Sequence, residues 1–90
     1  MSNATTGRRS KSQHRFYLIE PKPNVNAGEM ANKLIGLETV EEVILSEGAY
    51  GFIVKVKLPN GKEPVKVENY IKRKAATKLE TVNGQYRYMK

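Results

Sequence analysis

Residues 40–58, VEEVILSEGAYGFIVKVKL, constrain the fold more than any other stretch of the chain. Two apolar runs, Val40–Leu45 and Phe52–Leu58, flank a short break, Ser46-Glu47-Gly48-Ala49-Tyr50-Gly51. Both runs are rich in β-branched residues. The second alternates, with Phe52, Val54, Val56 and Leu58 on one side and Ile53, Lys55 and Lys57 on the other, which is the two-residue period of a strand. Strand, glycine-bearing loop and strand predict an antiparallel hairpin.

The 90 residues, 39% of them hydrophobic, suit one small domain and leave no room for a second core. With no cysteine, disulfides, thiolate metal sites and thiol catalysis are excluded. The chain has no Asp and a single histidine, His14, so metal clusters and most acid–base pairs lack their residues. Glu41 and Glu42 are neighbours on a strand and face opposite ways, so they are not a catalytic pair. The expectation is a non-enzymatic chain with no metal and no cofactor. No apolar run approaches the roughly 20 residues of a membrane-spanning helix, and the basic N-terminus lacks the apolar segment of a secretory signal. A cytoplasmic location without membrane contact is expected.

The net charge of +7 is uneven. Arg8, Arg9, Lys11 and Arg15 stand in a stretch without acids, and Lys66, Lys72, Arg73, Lys74 and Lys78 face only Glu68 in theirs. Residues 16–65 carry a small excess of acid. Such basic patches attract phosphate backbones, and they equally suit a solubilising tail and a solvated helix face.

In chain order, residues 1–14 are polar, basic and aperiodic, and are expected to form a disordered tail ahead of a single domain over 15–90. Within that tail His14 reads as an exposed, unremarkable residue at the junction. Arg15–Glu20 is a short strand with Phe16 and Leu18 on one face and Tyr17 and Ile19 on the other, closed by Pro21-Lys22-Pro23. Asn26 is a helix N-cap with Glu29 three residues on. Ala27, Met30, Ala31, Leu34 and Ile35 make an apolar stripe, and Gly36 stops the helix. After the hairpin, Pro59-Asn60-Gly61-Lys62 is a turn. Residues 64–76 carry both an alternating pattern and a helical one. Pro64 at a first helical position and the cations Lys72, Arg73 and Lys74 in the last turns favour the helix. Lys78–Val82 is a last strand, and Asn83-Gly84 a turn from which Gln85–Met89 either returns alongside or trails away.

Strand, helix, strand, strand, helix, strand predicts an α+β, ferredoxin-like βαββαβ fold, an antiparallel sheet with two helices on one face. The helix-facing side is expected to carry Phe52, Val54 and Val56 with Phe16, Leu18, Val43 and Leu45. Tyr17, Ile19, Ile44 and Ile53 then share the opposite face, and a face that apolar calls for a cover.

Val40-Glu41-Glu42-Val43 through Gly48-Ala49-Tyr50 and into Phe52-Ile53-Val54-Lys55-Val56 resembles the RAM domain, the effector domain of leucine-responsive/AsnC-type transcriptional regulators. The resemblance covers about residues 15–82. It implies dimers whose sheets pack face to face, higher assemblies, transcription regulation through them, and amino-acid-like effectors at the loop, here Glu47, Gly48, Ala49, Tyr50 and Gly51. The family's loop Asp is Gly51 in this chain, and the Thr usual before the glycine is Glu47. An effector's ammonium would therefore meet Glu47, and its carboxylate the backbone N–H groups of Gly48 and Gly51. The family's helix-turn-helix has no counterpart in the polar N-terminal residues, so the chain looks like a stand-alone effector-type domain.

Tyr50-Gly51-Phe52-Ile53 is also similar to the third-strand signature of RNA-recognition motifs. The pleat opposes that reading. If Phe52 faced RNA, Lys55 and Lys57 would turn into the core, and a buried unpaired lysine costs several kcal/mol. The expected functions are then, in order, a self-associating effector-binding domain with its interface at Tyr17, Ile19, Ile44 and Ile53; a nucleic-acid-binding module using Arg8, Arg9, Lys11, Arg15, Lys72, Arg73 and Lys74; and an oligomerisation adaptor.

Overall fold

The computed structural model describes residues 7–90, and whatever concerns residues 1–6 lies outside it. Its elements are β1 (Arg8–Lys11), β2 (His14–Pro21), α1 (Ala27–Ile35), β3 (Val40–Leu45), β4 (Phe52–Lys57), a single 3-10 turn at Pro59–Gly61, α2 (Val65–Tyr70) running on as a π-helical segment (Ile71–Ala75), β5 (Ala76–Asn83) and β6 (Tyr86–Met89). Four strands form one antiparallel sheet in the order β3-β4-β2-β5, and β1 and β6 form a separate two-stranded ribbon. With two helices this is an α+β architecture, compatible with a ferredoxin-like fold.

The expected hairpin is present, Ile44 opposite Ile53 and Leu45 opposite Phe52, with its second strand ending at Lys57, one residue before the expected Leu58. α1 starts where Asn26 Oδ1 accepts from the Glu29 N–H at 3.0 Å, filling one of the donors a helix N-terminus leaves open, and its C-cap is Gly36. The second helix settles the ambiguity of residues 64–76 in favour of helix. Its last carbonyls are held by Lys22, whose backbone N–H donates to Ala75 O at 2.9 Å and whose ammonium donates to Arg73 O at 2.7 Å. A cation at the negative end of the helix is favourable, and these carbonyls have no intrahelical donor.

One core joins the helices to one sheet face. Met30 and Leu34 of α1 and Val67, Ile71 and Ala75 of the second helix pack with Phe52, Val54 and Val56 of β4. From β2 the core takes Tyr17 and Ile19, both fully buried, and not Phe16 and Leu18. This reverses the expected pleat of β2. Residues 16–19, FYLI, are apolar at every position, so hydrophobicity alone assigns no phase. Cross-strand register does. Tyr17 lies opposite Val54 and Ile19 opposite Phe52, which puts them on the core side. The same phase lets the Tyr17 hydroxyl donate to Glu68 Oε2 at 3.0 Å and carries Arg15 to Glu63, so the polar ends of that side find partners. Each large apolar side chain buried here contributes roughly 1.5–3 kcal/mol.

The N-terminal segment is a second correction. Arg8–Lys11 is no part of a disordered tail: it pairs with Tyr86–Met89, Arg9 opposite Tyr88 and Lys11 opposite Tyr86. The ribbon prolongs the β2/β5 pair, through Gly84 N–H to His14 O and Ser12 N–H to Gln85 O, each at 2.9 Å. β4 ends beside His14, so the ribbon runs on past the core and the molecule measures 55 × 29 × 20 Å.

Gly51 closes the hairpin loop against β2. Its N–H donates to Ile19 O at 2.9 Å, and a Cβ there would stand 2.9 Å from Pro21 Cγ and 3.1 Å from Cδ. A proline ring has no soft end to move aside. Gly51→Ala is therefore expected to destabilise the chain by roughly 1–3 kcal/mol in urea unfolding, the range for overpacking. Pro21→Ala added to the same chain is expected to recover much of that loss.

Candidate functional site

The sheet face away from the core carries Phe16 and Leu18 of β2, Ile53 of β4, Ile44 of β3 and Val82 of β5. Leu18 lies opposite Ile53, Ile53 opposite Ile44, and Phe16 opposite Val82, so these side chains abut across all four strands. Ile44 is 44% exposed and Val82 48%. Lys55, opposite Glu42, and Glu80, opposite Leu18, put both signs of charge among them. Of the four residues expected on this face, Ile44 and Ile53 are here. Tyr17 and Ile19 are in the core with no exposed surface, so they offer nothing to a second molecule. Their places are taken by Phe16 and Leu18, and Val82 joins them.

The loop expected to hold an effector is exposed at its tip and packs against β2 at Gly51. Gly48 has φ +103, the left-handed region that suits glycine, and Ser46 Oγ donates to Tyr50 O at 2.8 Å across the turn. Glu47, Gly48 and Ala49 are exposed and Tyr50 half-buried. The Gly51 N–H, assigned to a carboxylate in the sequence reading, already donates to Ile19 O. That leaves Glu47 and the Gly48 N–H for any amino-acid-like ligand. The Pro21 ring leaves little room for a side chain at Gly51.

Arg15 is another correction. It is 7% exposed and donates to Glu63 through two nitrogens, Nη1 to Oε1 at 2.7 Å and Nη2 to Oε2 at 3.0 Å, and through Nε to Asn83 Oδ1 at 2.7 Å. Glu68 Oε2 is 3.7 Å from Nη1. A guanidinium so enclosed, with three of its five N–H groups engaged, is a structural clamp between β2, β5 and the segment leading into α2, and not a surface cation facing a phosphate. Hydrogen bonding to Glu63 holds its pKa above the ordinary value, and the same bond holds Glu63 below the ordinary carboxylate range. Burial pushes the Tyr17 hydroxyl up. His14 too is buried, with Nε2 2.9 Å from Glu41 Oε1. No local pattern could have announced these pairs, because their partners lie 27 to 68 residues away.

The remaining cations do not gather into one patch. Arg8, Arg9 and Lys11 lie on the ribbon, beyond Asn83, whereas Lys72, Arg73 and Lys74 lie just before Ala76. The length of β5 separates them, about 23 Å at the usual strand rise. The sequence reading also passed over Tyr86 and Tyr88, which are 47% and 66% exposed on β6, although the alternation Tyr86-Arg87-Tyr88 was there to be read. The Arg9 guanidinium carbon sits 4.1 Å from the centre of the Tyr86 ring. Among the described residues there is no metal-ligating cluster and no helix long and apolar enough to cross a membrane.

Comparison with protein-family models, curated proteins and solved structures returned no match to the chain.

Two outcomes are expected here. Because Glu63 has a lowered pKa in the folded state, the stability it shares with Arg15 is fully present above its unfolded pKa. It is lost as pH falls through the lower folded value. Urea midpoints measured from about pH 7 to about pH 3 should fall along this limb, and less steeply in Glu63→Gln. In an NMR titration with a panel of amino acids, the Gly48 amide is the one expected to move, only at millimolar ligand and less in Glu47→Gln. The Gly51 amide should stay protected from exchange by its bond to Ile19.

Proposed function

We propose that this chain is a non-enzymatic self-association domain of ferredoxin-like βαββαβ build, a stand-alone counterpart of the RAM domain, whose copies pair through the uncovered sheet face. The observation that carries the reading is the row Phe16, Leu18, Ile44, Ile53 and Val82, which crosses every strand of the sheet with no helix of the described residues upon it. A solvated antiparallel face is mostly polar, whereas one that packs on another sheet is apolar.

A second copy is the occupant this face suits. Two-fold pairing brings each patch against itself, so apolar meets apolar, and the mixed charges of Lys55, Glu42 and Glu80 can cross-pair between copies. The strand order β3-β4-β2-β5 supports the same reading, since among the described residues both helices pack on the other face and this one is left open. The resemblance to RAM domains supports it independently, because those pair sheet to sheet. Regulation of transcription and a response to an amino-acid-like effector rest on that resemblance. In this chain the response would come from Glu47 and Gly48, and it would be weak.

Sedimentation at tens to hundreds of micromolar is expected to show a dimer or a larger closed assembly. Ile53→Lys should shift it toward monomer while leaving the helix-side core and the thermal transition nearly unchanged, since Ile53 lies outside that core. A wild-type chain that sediments as a monomer throughout that range would sink the proposal.

A further inference from the structure

The ribbon lies outside the core, and its Tyr86 and Tyr88 border the uncovered face, sharing a groove with Phe16 and Lys55. Its two arms, residues 7–13 and 84–90, contain Arg8, Arg9, Lys11, Arg87 and Lys90 and not one acid. The carboxylates at its base are engaged, Glu41 by His14 and Glu63 by Arg15. Charge of one sign that no partner neutralises makes a field which a polyanion would relieve.

The ribbon also carries aromatic surface that folding leaves in water. Residues directly opposite in an antiparallel pair share a face. Lys11 opposite Tyr86 and Arg9 opposite Tyr88 therefore place two cations and two rings together. Tyr86 and Tyr88 are two positions apart on one strand, about 7 Å, roughly two base-stacking steps. Tyr88 is the most exposed large hydrophobic group among the described residues, and Arg9 is already drawn over the Tyr86 ring.

We propose that the β1/β6 ribbon binds single-stranded nucleic acid, with bases stacking on Tyr86 and Tyr88 and phosphates held by Arg9, Lys11 and the cations of the opposite face. Rings and cations alternating on one exposed surface are what an unpaired strand requires, since every base has a face to stack and every linkage a charge. A duplex offers this face phosphates alone, its bases being stacked on one another. An acidic protein segment would match the cations and leave the rings without a use. Recognition is independent of base sequence, because nothing on the ribbon is arranged to read base edges. The cations at the other end of the molecule, Lys72, Arg73 and Lys74, take no part.

The test uses the full chain and fluorescein-labelled oligothymidylate, read by anisotropy at about 50 mM salt and over a salt series. Binding is expected to weaken steeply with salt. Tyr88→Ala should weaken it about fivefold or more, and Tyr86→Ala likewise, while Tyr88→Phe retains most of it. Arg9→Ala with Lys11→Ala should lower both the affinity and the salt slope. Both rings are outside the core, and unchanged thermal transitions will confirm that the variants fold. Absence of binding at low salt overturns the proposal. So does binding that the alanine variants leave intact, that a duplex of equal length matches, or that polyglutamate competes away as well as unlabelled oligothymidylate does. Ile53→Lys, which acts on self-association, should bind through each ribbon as before, so the two proposals fail separately.

Discussion

The position of β2 between β4 and β5 is the constraint on which the rest depends. Once Tyr17 stands opposite Val54 and Thr81, the same register carries Ile19 to Phe52 and Arg15 to Val56 and Asn83. Every consequence is binary, because strand side chains alternate. Tyr17 and Ile19 become core, and Phe16 and Leu18 become the centre of an open face. Arg15, of the same parity as Tyr17, is drawn beneath Glu63 instead of facing solvent. A slip by one residue would exchange all of these roles at once.

Polar contacts at the margin of the core hold that register. Apolar packing distinguishes poorly between Phe16-Leu18 and Tyr17-Ile19, which are similar in volume and hydrophobicity. The Arg15–Glu63 pair, the Arg15–Asn83 bond and the Tyr17–Glu68 bond exist in one phase only. In the other phase Arg15 turns to solvent and these bonds are lost without replacement inside the protein, so the wrong phase is disfavoured even where it packs as well. The net stabilisation from such a pair is small. Its specificity is large.

The same strand pair links core to periphery. β2 and β5 run on past the end of β4 and become the ribbon, so the segment bearing Arg8, Arg9 and Lys11 is held in order by backbone bonds to the segment bearing Tyr86 and Tyr88. Neither arm is apolar enough to be ordered on its own account. Pairing satisfies their backbone groups and brings together cations and rings that are some 75 residues apart in sequence. The open face and the ribbon thus arise from one feature, the unequal lengths of neighbouring strands and the phase of the central one.

What the sequence by itself determined is local. The hairpin 40–57 is announced by alternation and a glycine-bearing loop, α1 by the Asn26 cap and the Met30-Leu34 stripe, and the order of the elements from β2 to β5 by the turns between them. Each of these signals lies within a dozen residues, where backbone preference and side-chain period act directly. Tertiary structure decided whatever depends on a partner far along the chain: which side of β2 is buried, that Arg15 and His14 are internal, that Gly51 must be glycine because Pro21 lies against it, and that the N-terminal arm is a strand. For those residues composition permits two answers of nearly equal local energy. The choice falls to contacts that do not exist until the chain has closed on itself.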